Sequence, residues 1–451
     1  MTTFAIENFG CRATEADASA LRRSLLESGL KLASEHASAE IVVLNTCTVT
    51  AAADAQARDA IRKIHRANPA ARIVITGCYA QRAPEELATL EGVSWVVGNS
   101  HQSEIPHIVS RMTPPQPAPD PSGDFFPLAR LAKGNPMSLA HGPAKILTGD
   151  IFAQSALTAA GSPPSAEERD RTRPILKIQD GCNNRCSYCV IPFVRGHSRS
   201  LPPDEVIREV KSFVATGAKE IVLSGINLGS YGRDLSPRTR LASIVRRILD
   251  DTVLDQLRFS SIEPQDITED FVNLVASSHR IAPHFHVPLQ SGSDRILRAM
   301  RRWYRADHYA QRIKLIRRLS PHAAIGADVI VGFPGEARDD FETTAAFISD
   351  LPFTYLHVFS FSARPGTSAE QFGHPVPAAE IRERARSLRA FGEQKSAAFR
   401  ASHAGQTLRA LTLARSSDSW TEALTGNYLK LRIPGRHPAN EWHHVTVTPL
   451  A

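Results

Sequence analysis

The sequence predicts an α/β protein in three parts: an N-terminal parallel α/β domain, a central run of six β/α units that fits a partial (β/α)6 barrel, and a small C-terminal β domain. Three observations carry this. Strand-like and helix-like segments alternate through the first hundred residues. After a stretch rich in Pro, Gly, Ser and Ala, the alternation resumes with six further strand-like runs, and the last fifty or so residues hold only short β-like runs. At 451 residues the chain exceeds one ordinary hydrophobic core, so two or three domains are expected.

In the first part, residues 1–112, "TFAIENF" alternates apolar and polar residues. "ADASALRRSLLESG" places Leu21, Leu25 and Leu26 at helical spacing, and "IVVLN" and "RIVIT" are β-branched runs followed by helical stretches. The order βαβαβ implies a mostly parallel sheet whose working edge lies at the strand C-termini. Residues 113–170 read as a linker, because "RMTPPQPAPDPSGD" and "AAGSPPSAEERDRTRP" favour an extended connector. In residues 171–400 the strand-like runs are "ILKIQ", "EIVLS", "QLRFSS", "HFHVPLQ", "AIGADVIVG" and "YLHVFS". Helical segments such as "PDEVIREVKSFVATG", "DRILRAM", "HYAQRIKLIRRLS" and "DFETTAAFISDL" lie between them. Six such units fit an incomplete barrel with its chemistry at the strand C-terminal ends, and an open doubly wound sheet is the alternative, since periodicity does not decide closure. A basic helical stretch from residue 378 leads into residues 401–451, where "QTLRALTL", "NYLKLRI" and "WHHVTVTPL" read as strands.

Hydrophobic residues make up 42% and charged residues 22% of the chain, and no apolar run approaches bilayer length. "MTTFAIENFGC" lacks the basic start, apolar stretch and cleavage site of a secretory signal, so a cytoplasmic protein with reduced thiols is expected. The net charge of +7 is local: residues 381–451 hold 11 Lys and Arg against 5 Asp and Glu, or +6. Such an excess suggests a polyanionic partner, nucleic acid first, with a solvated basic helix as the plain alternative.

The cysteines carry the chemistry. In "DGCNNRCSYCVIP", Cys182, Cys186 and Cys189 have C-x3-C-x2-C spacing directly after a predicted strand, on a loop whose Gly181, Asn183 and Asn184 favour turns. Four-iron clusters normally take four thiolates, and three would leave one iron open for a chelating cofactor. Zinc also accepts three cysteines and a water, with His197 the nearest further ligand. The remaining three, Cys11, Cys47 and Cys78, each follow a predicted strand, at "ENFGC", "VVLNTC" and "RIVITGC", so a parallel sheet would gather them on one edge. Three unrelated core cysteines are the alternative.

The C-x3-C-x2-C motif, with the aromatic Tyr188 before its last cysteine, resembles the signature of the radical S-adenosylmethionine enzymes. "NTCTVT", "TGCYAQ", "LKIQDGCNNRCSYCVIPFVRGHSRS", "SSIEP", "HFHVPLQSGSDRILRAMRRWY", "DVIVGFPGE" and "FSFSARPGT" closely resemble the methylthiotransferases of that superfamily over nearly the whole chain. The resemblance implies a radical-SAM core at residues 171–400 and a C-terminal domain like the family's small RNA-binding (TRAM-like) barrel, matched only at "TGNYLKLRI". It implies two [4Fe-4S] clusters, one on Cys182, Cys186 and Cys189 with S-adenosylmethionine on its open iron, and an auxiliary one on Cys11, Cys47 and Cys78 that carries the sulfur. One S-adenosylmethionine would methylate that sulfur, and a second would yield the 5'-deoxyadenosyl radical that removes hydrogen from the substrate. "NTCTVT" is most like the branch acting on C2 of N6-threonylcarbamoyladenosine at position 37 of tRNA. Other branches modify isopentenyladenosine 37 or a ribosomal-protein aspartate, and a non-catalytic iron-sulfur electron carrier is the alternative from another class.

The implied partners are a tRNA anticodon loop, an electron donor and a sulfur source, and the sequence names neither of the last two, nor the oligomeric state. Besides Tyr188, Ser224 and Gly225 in "LSGINLGSYG" resemble the cofactor-contacting turn. Glu263 in "SSIEP" and Gln290 in "VPLQSG" end strands facing the same mouth and are candidates for cofactor or adenine contacts, with plain structural roles as the alternative for each. Thr14 stands where the family often has asparagine. Phe333, Phe359 and Phe361 are expected in the core.

Overall fold

The computed structural model describes residues 2–112, 144–154, 157 and 172–448. The Pro-rich run at 113–122 and most of "AAGSPPSAEERDRTRP" lie outside the described residues. The chain forms two compact units, one of Met1–Gly10, Asp17–Thr48 and Ala52–Ile151, the other of Cys11–Ala16, Val49–Ala51 and Phe152–Ala451.

The first unit is built on a six-stranded parallel sheet. Its strands are β1 (Thr3–Asn8), β2 (Lys31–Leu32), β3 (Ile41–Thr46), β4 (Arg72–Gly77), β5 (Val93–Gly98) and β6 (Lys145–Leu147), in the order β2-β1-β3-β4-β5-β6. Helices cover both faces, which is why β3 and β4 are apolar runs without alternation. Val42, Leu44, Ile73 and Ile75 pack on Ala57, Ile61 and Ile64 of the helix Ala51–Ala67. Ile41, Val43 and Val74 pack on Leu21 and Leu25 and on Ile105, Ile108 and Val109. β2, β5 and β6 are additions to the three strands expected here, and β6 falls in the stretch read as a connector. It spans only three residues, too few for a periodic signal.

In the second unit the six expected strands form in chain order: β7 (Ile175–Asp180), β9 (Glu220–Gly225), β10 (Gln256–Phe259), β11 (His284–His286), β12 (Ala324–Val331) and β13 (Tyr355–Ser360). A short β8 (Arg199–Ser200) pairs antiparallel with β7. β7, β9 and β10 pair in parallel, as do β11, β12 and β13, and bridges at Leu257–Ile281 and Ser261–His286 join the two sets. The architecture is the partial barrel. Leu176, Ile178, Ile221, Leu223, Leu257, Phe259, Phe285, Ile325, Ala327 and Val329 share one core with the surrounding helices. Alternation along the strands therefore turns Gln179, Ser224, Arg258, Ser260, His284, His286 and Asp328 to the inner face. The polar lining is a direct consequence of that parity.

The chain ends in the expected small β domain, a four-stranded antiparallel sheet of β14 (Thr407–Ser416), β15 (Trp420–Thr425), β16 (Lys430–Pro434) and β17 (Trp442–Thr446), ordered β16-β15-β14-β17. β15, "WTEALT", is a strand that sequence reading passed over, because Glu and Ala dilute its β-like pattern.

Candidate active site in the central barrel

The cysteine loop leaves β7 under several constraints. Gly181 sits at φ +69°, and a Cβ there would lie 2.0 Å from the carbonyl oxygen of His197, so only glycine fits the exit. Gln179, fully buried, holds the same turn from inside. Its Nε2 donates to the carbonyls of Asp180 (2.9 Å) and Gly181 (2.8 Å) and to Ser198 Oγ (3.0 Å), while its Oε1 accepts from the backbone N–H of Asn227 (2.7 Å). The Asp180 carboxylate is buried against Arg195 Nη1 (3.0 Å) and Lys177 Nζ (2.7 Å). Burial pushes that carboxyl up, and the cations around it outweigh the burial and hold it well below the usual range. Further along, the Ser187 N–H donates to the Met300 carbonyl (3.0 Å) and its hydroxyl to that of Ala299 (2.8 Å).

The thiols fit a cation-bound set. Burial pushes Cys182 up to about 11 and Cys189 up to about 12, so without a cation both stay protonated. N–H groups nonetheless face the sulfurs: the Asn184 N–H is 3.4 Å from Cys182 Sγ, and Arg302 Nη1 is 3.3 Å from Cys186 Sγ. Partly buried thiols faced by N–H donors match thiolates that share charge with a bound cluster. His197, the further zinc ligand considered above, instead places Nδ1 3.2 Å from Asn183 Oδ1 and its ring against Phe152.

Sequence reading did not single out Arg302, which joins two predicted features. Nearly buried, it contacts Cys186 and forms an ion pair with Glu263, and its guanidinium lies 5.0 Å from the Tyr304 ring centre. Burial raises the Glu263 carboxyl above its ordinary range, with Arg302 opposing. "RRWY" gave little signal, because Arg302 stands beside Arg301 and near Arg298 and Arg305 in the turn after the helix Asp294–Ala299. Gln179 was equally unmarked.

The other candidates divide. Ser224 and Gly225 end β9, and a Cβ on Gly225 would crowd Gln179 Oε1 at 2.8 Å, which packs the turn on the start of the cysteine loop. Ser224 Oγ, Asn227 Oδ1 and Ser260 Oγ are buried without a hydrogen-bond partner among the described residues. Each such orphan costs about 1–3 kcal/mol, and a polar ligand at these strand ends would satisfy them. This fits a cofactor rich in hydroxyl and amino groups. Gln290 is held at φ +67° by backbone hydrogen bonds to Asp328 (2.8 Å) and from Ile330 (2.9 Å). Tyr188 directs its ring into an apolar cluster with Ile296, Met300, Phe333 and Ala369, where burial raises its hydroxyl well above its ordinary value. Phe333 is buried and Phe361 packs edge-on against it at 5.4 Å. Phe359 overturns its expectation: it is 45% exposed, because strand parity puts it opposite Leu356 and Val358, which face the core.

In the sheet of the first unit, β3 lies between β1 and β4. Cys47 and Cys78 each follow the end of their strand by one residue and are buried, and exposed Cys11 follows β1 by three. Gly77, at φ +97°, would bring a Cβ within 2.3 Å of the Thr46 carbonyl oxygen. Asn99 Nδ2 is 3.6 Å from Cys78 Sγ, and Arg82 ties the segment after Cys47 through Thr48 Oγ1 (2.7 Å) and Asp54 (2.9 Å). The Thr14 hydroxyl caps the Cys11 carbonyl at 2.8 Å.

Comparison with known proteins completes this picture. Residues 3–98 match "Uncharacterized protein family UPF0004", and residues 176–348 match the "Radical SAM superfamily". The chain is 35% identical over 431 residues to the threonylcarbamoyladenosine tRNA methylthiotransferase MtaB of Aquifex aeolicus, covering 96% of each chain. The chain belongs to the radical S-adenosylmethionine methylthiotransferase family. Within this family it is also 33% identical to MtaB of Bacillus subtilis over 96% of this chain and 91% of that one. To the tRNA-2-methylthio-N(6)-dimethylallyladenosine synthase of Mycobacterium bovis (strain ATCC BAA-935 / AF2122/97) it is 32% identical over 91% and 76%. Among solved structures, the radical S-adenosylmethionine methyltransferase TsrM of Kitasatospora setae shares the fold at TM-score 0.54 and 16% identity, over 82% of this chain and 77% of that one. The methylthiotransferase has, among its described residues, no helix long and apolar enough to cross a membrane.

Proposed function

We propose that this enzyme adds a methylthio group to C2 of N6-threonylcarbamoyladenosine at position 37 of tRNA. The observation that carries the reading is the near end-to-end correspondence with relatives named for that nucleoside, together with six cysteines that divide into two sets of three at strand ends. Cys182, Cys186 and Cys189 would hold the cluster that binds S-adenosylmethionine, and Cys11, Cys47 and Cys78 the auxiliary cluster. When bound, these groups supply hydrogen-atom abstraction from an unactivated aromatic C–H and a methylated sulfur to replace it. Ser224, Asn227 and Ser260 would take the polar groups of S-adenosylmethionine, Gln179 fixes the cysteine loop against the Ser224–Asn227 turn, and Arg302 donates to Cys186 while neutralising Glu263.

RNA contact has support in two places. Phe193, four residues beyond Cys189, and Trp303, next to Arg302, are 49% and 70% exposed, and exposed aromatics suit the unstacked bases of an anticodon loop. On the C-terminal sheet Arg432 lies 4.3 Å and Arg415 5.8 Å from the Trp420 ring centre, and Arg409 lies 3.9 Å from that of Trp442. These basic and aromatic groups suit phosphates and bases. Nucleoside analysis of tRNA from a deletion strain tests the proposal. The 2-methylthio form of threonylcarbamoyladenosine should disappear while its precursor accumulates. Undiminished product in a strain with no second such enzyme would end the reading, and loss of the 2-methylthio isopentenyl nucleoside instead would move the enzyme to the sister branch.

A further inference from the structure

Three side chains on the inner face of the barrel, none of them a cysteine, converge on one point. His286 ends β11, Asp328 lies in the middle of β12, and His357 stands directly opposite Asp328 on β13. His286 Nε2 is 2.9 Å and His357 Nδ1 3.3 Å from the same oxygen, Asp328 Oδ1, and the three ligand atoms lie within 4.8 Å of one another. Donor atoms bound at about 2.1 Å to one ion, at tetrahedral or octahedral angles, are themselves about 3.0–3.4 Å apart. The 3.3 Å distance falls within that range and the 2.9 Å distance lies just below it.

The surroundings hold this arrangement. His286 Nδ1, the nitrogen turned away from Asp328, is 3.0 Å from the Tyr355 hydroxyl, which also lies 2.7 Å from His284 Nε2. An outer hydrogen bond of this kind fixes the ring and its tautomer, as it does for imidazoles that bind metals. Tyr355 can reach both histidines across β12 because residue 326, the register partner of both His286 and Tyr355, is glycine: a Cβ there would lie 2.0 Å from the Tyr355 ring. His286 is 8% exposed, Asp328 22% and His357 51%, so the cluster opens on one side.

We propose that His286, Asp328 and His357 form a third metal site, separate from both cysteine sets, which binds one divalent first-row transition ion. Two imidazoles and a carboxylate suit Fe2+, Co2+ or Zn2+ and leave coordination positions for water. The site rests on the inner-face geometry alone and stands whichever nucleoside the enzyme modifies.

Cobalt tests it. Enzyme with both clusters assembled is titrated anaerobically with Co2+ and freed of unbound ion, then its cobalt, its iron and its visible spectrum are measured. The wild type should retain about one Co2+ with ligand-field bands and no new thiolate-to-cobalt absorption. His357→Ala and Asp328→Asn should bind it more than ten-fold more weakly with iron unchanged, and Tyr355→Phe about ten-fold more weakly. His357 is half exposed, so its truncation leaves the fold in place. The proposal is overturned if the wild type retains no more cobalt than His357→Ala. In that case the short contacts are imidazole N–H to carboxylate hydrogen bonds. A thiolate-to-cobalt band on the retained ion also overturns it, by placing the ion on cysteine.

Discussion

The two cysteine sets of this enzyme are built in opposite ways. Cys182, Cys186 and Cys189 sit on one loop, eight residues from first to last, and their placement is local: Gly181 shapes the exit from β7, Gln179 braces it and Ser187 anchors its far side. Cys11, Cys47 and Cys78 come from three separate segments, and what relates them is that β1, β3 and β4 are parallel neighbours. A loop motif depends on a few backbone torsions, whereas a sheet-edge motif depends on strand order. The first is therefore vulnerable at one residue, and the second to anything that alters the sheet.

The sharpest way to break the comparison is to remove each set in turn. Cys182, Cys186 and Cys189 replaced together by Ala should lower the iron content of reconstituted enzyme from about eight to about four and abolish release of 5'-deoxyadenosine. The same replacement at Cys11, Cys47 and Cys78 should also halve the iron, yet keep that release and stop thiolation. If the first triple variant still cleaves S-adenosylmethionine, the loop is not the radical centre. A smaller perturbation uses the two strained glycines. Gly181→Ala should cost about 1–3 kcal/mol locally and cut 5'-deoxyadenosine formation about ten-fold or more. Gly77→Ala should leave that rate within about two-fold and depress methylthio transfer. Single-turnover assays of both steps separate the two, and equal losses of cleavage would contradict the division.

The smallest effect concerns the scaffold around the loop motif. Asp340 accepts from Ser293 Oγ (2.7 Å) and from the Ala337 N–H (2.9 Å) and pairs with Arg295. Burial raises its carboxyl, but these donors outweigh burial and hold it below the ordinary value. A depressed carboxyl stabilises the fold above the unfolded value of about 4, and that contribution disappears as pH falls through the folded value. Thermal melts below about pH 4 should therefore show a steeper loss of stability for the wild type than for Asp340→Asn. Parallel curves would mean that Asp340 adds nothing.

Much of this was legible in the chain itself. All six barrel strands were readable as short strand-like runs set between helical segments, and the cysteine loop was readable because its ligands are close in sequence. The strand-end positions of Cys11, Cys47 and Cys78 were readable through one topological rule. Other features were hidden for identifiable reasons. β6 has three residues and β15 a diluted pattern. Arg302 acquires its role only when it meets Glu263 and Cys186, 39 and 116 residues away in the chain. Phe359 looked like core because hydrophobicity alone does not reveal which face of β13 it occupies.

By itself, then, the sequence determined the α/β class, the six β/α units and the grouping of the cysteines into two sets of three, because periodicity and local spacing are properties of short segments, while the closure of those units into a partial barrel came from strand pairing. Only the tertiary structure decided which polar residues meet inside the barrel. Gln179 reaches Asn227 across 48 residues, and Asp328 lies between His286 and His357. Such meetings depend on strand register, which is set by packing across the whole barrel and leaves no mark within any one segment.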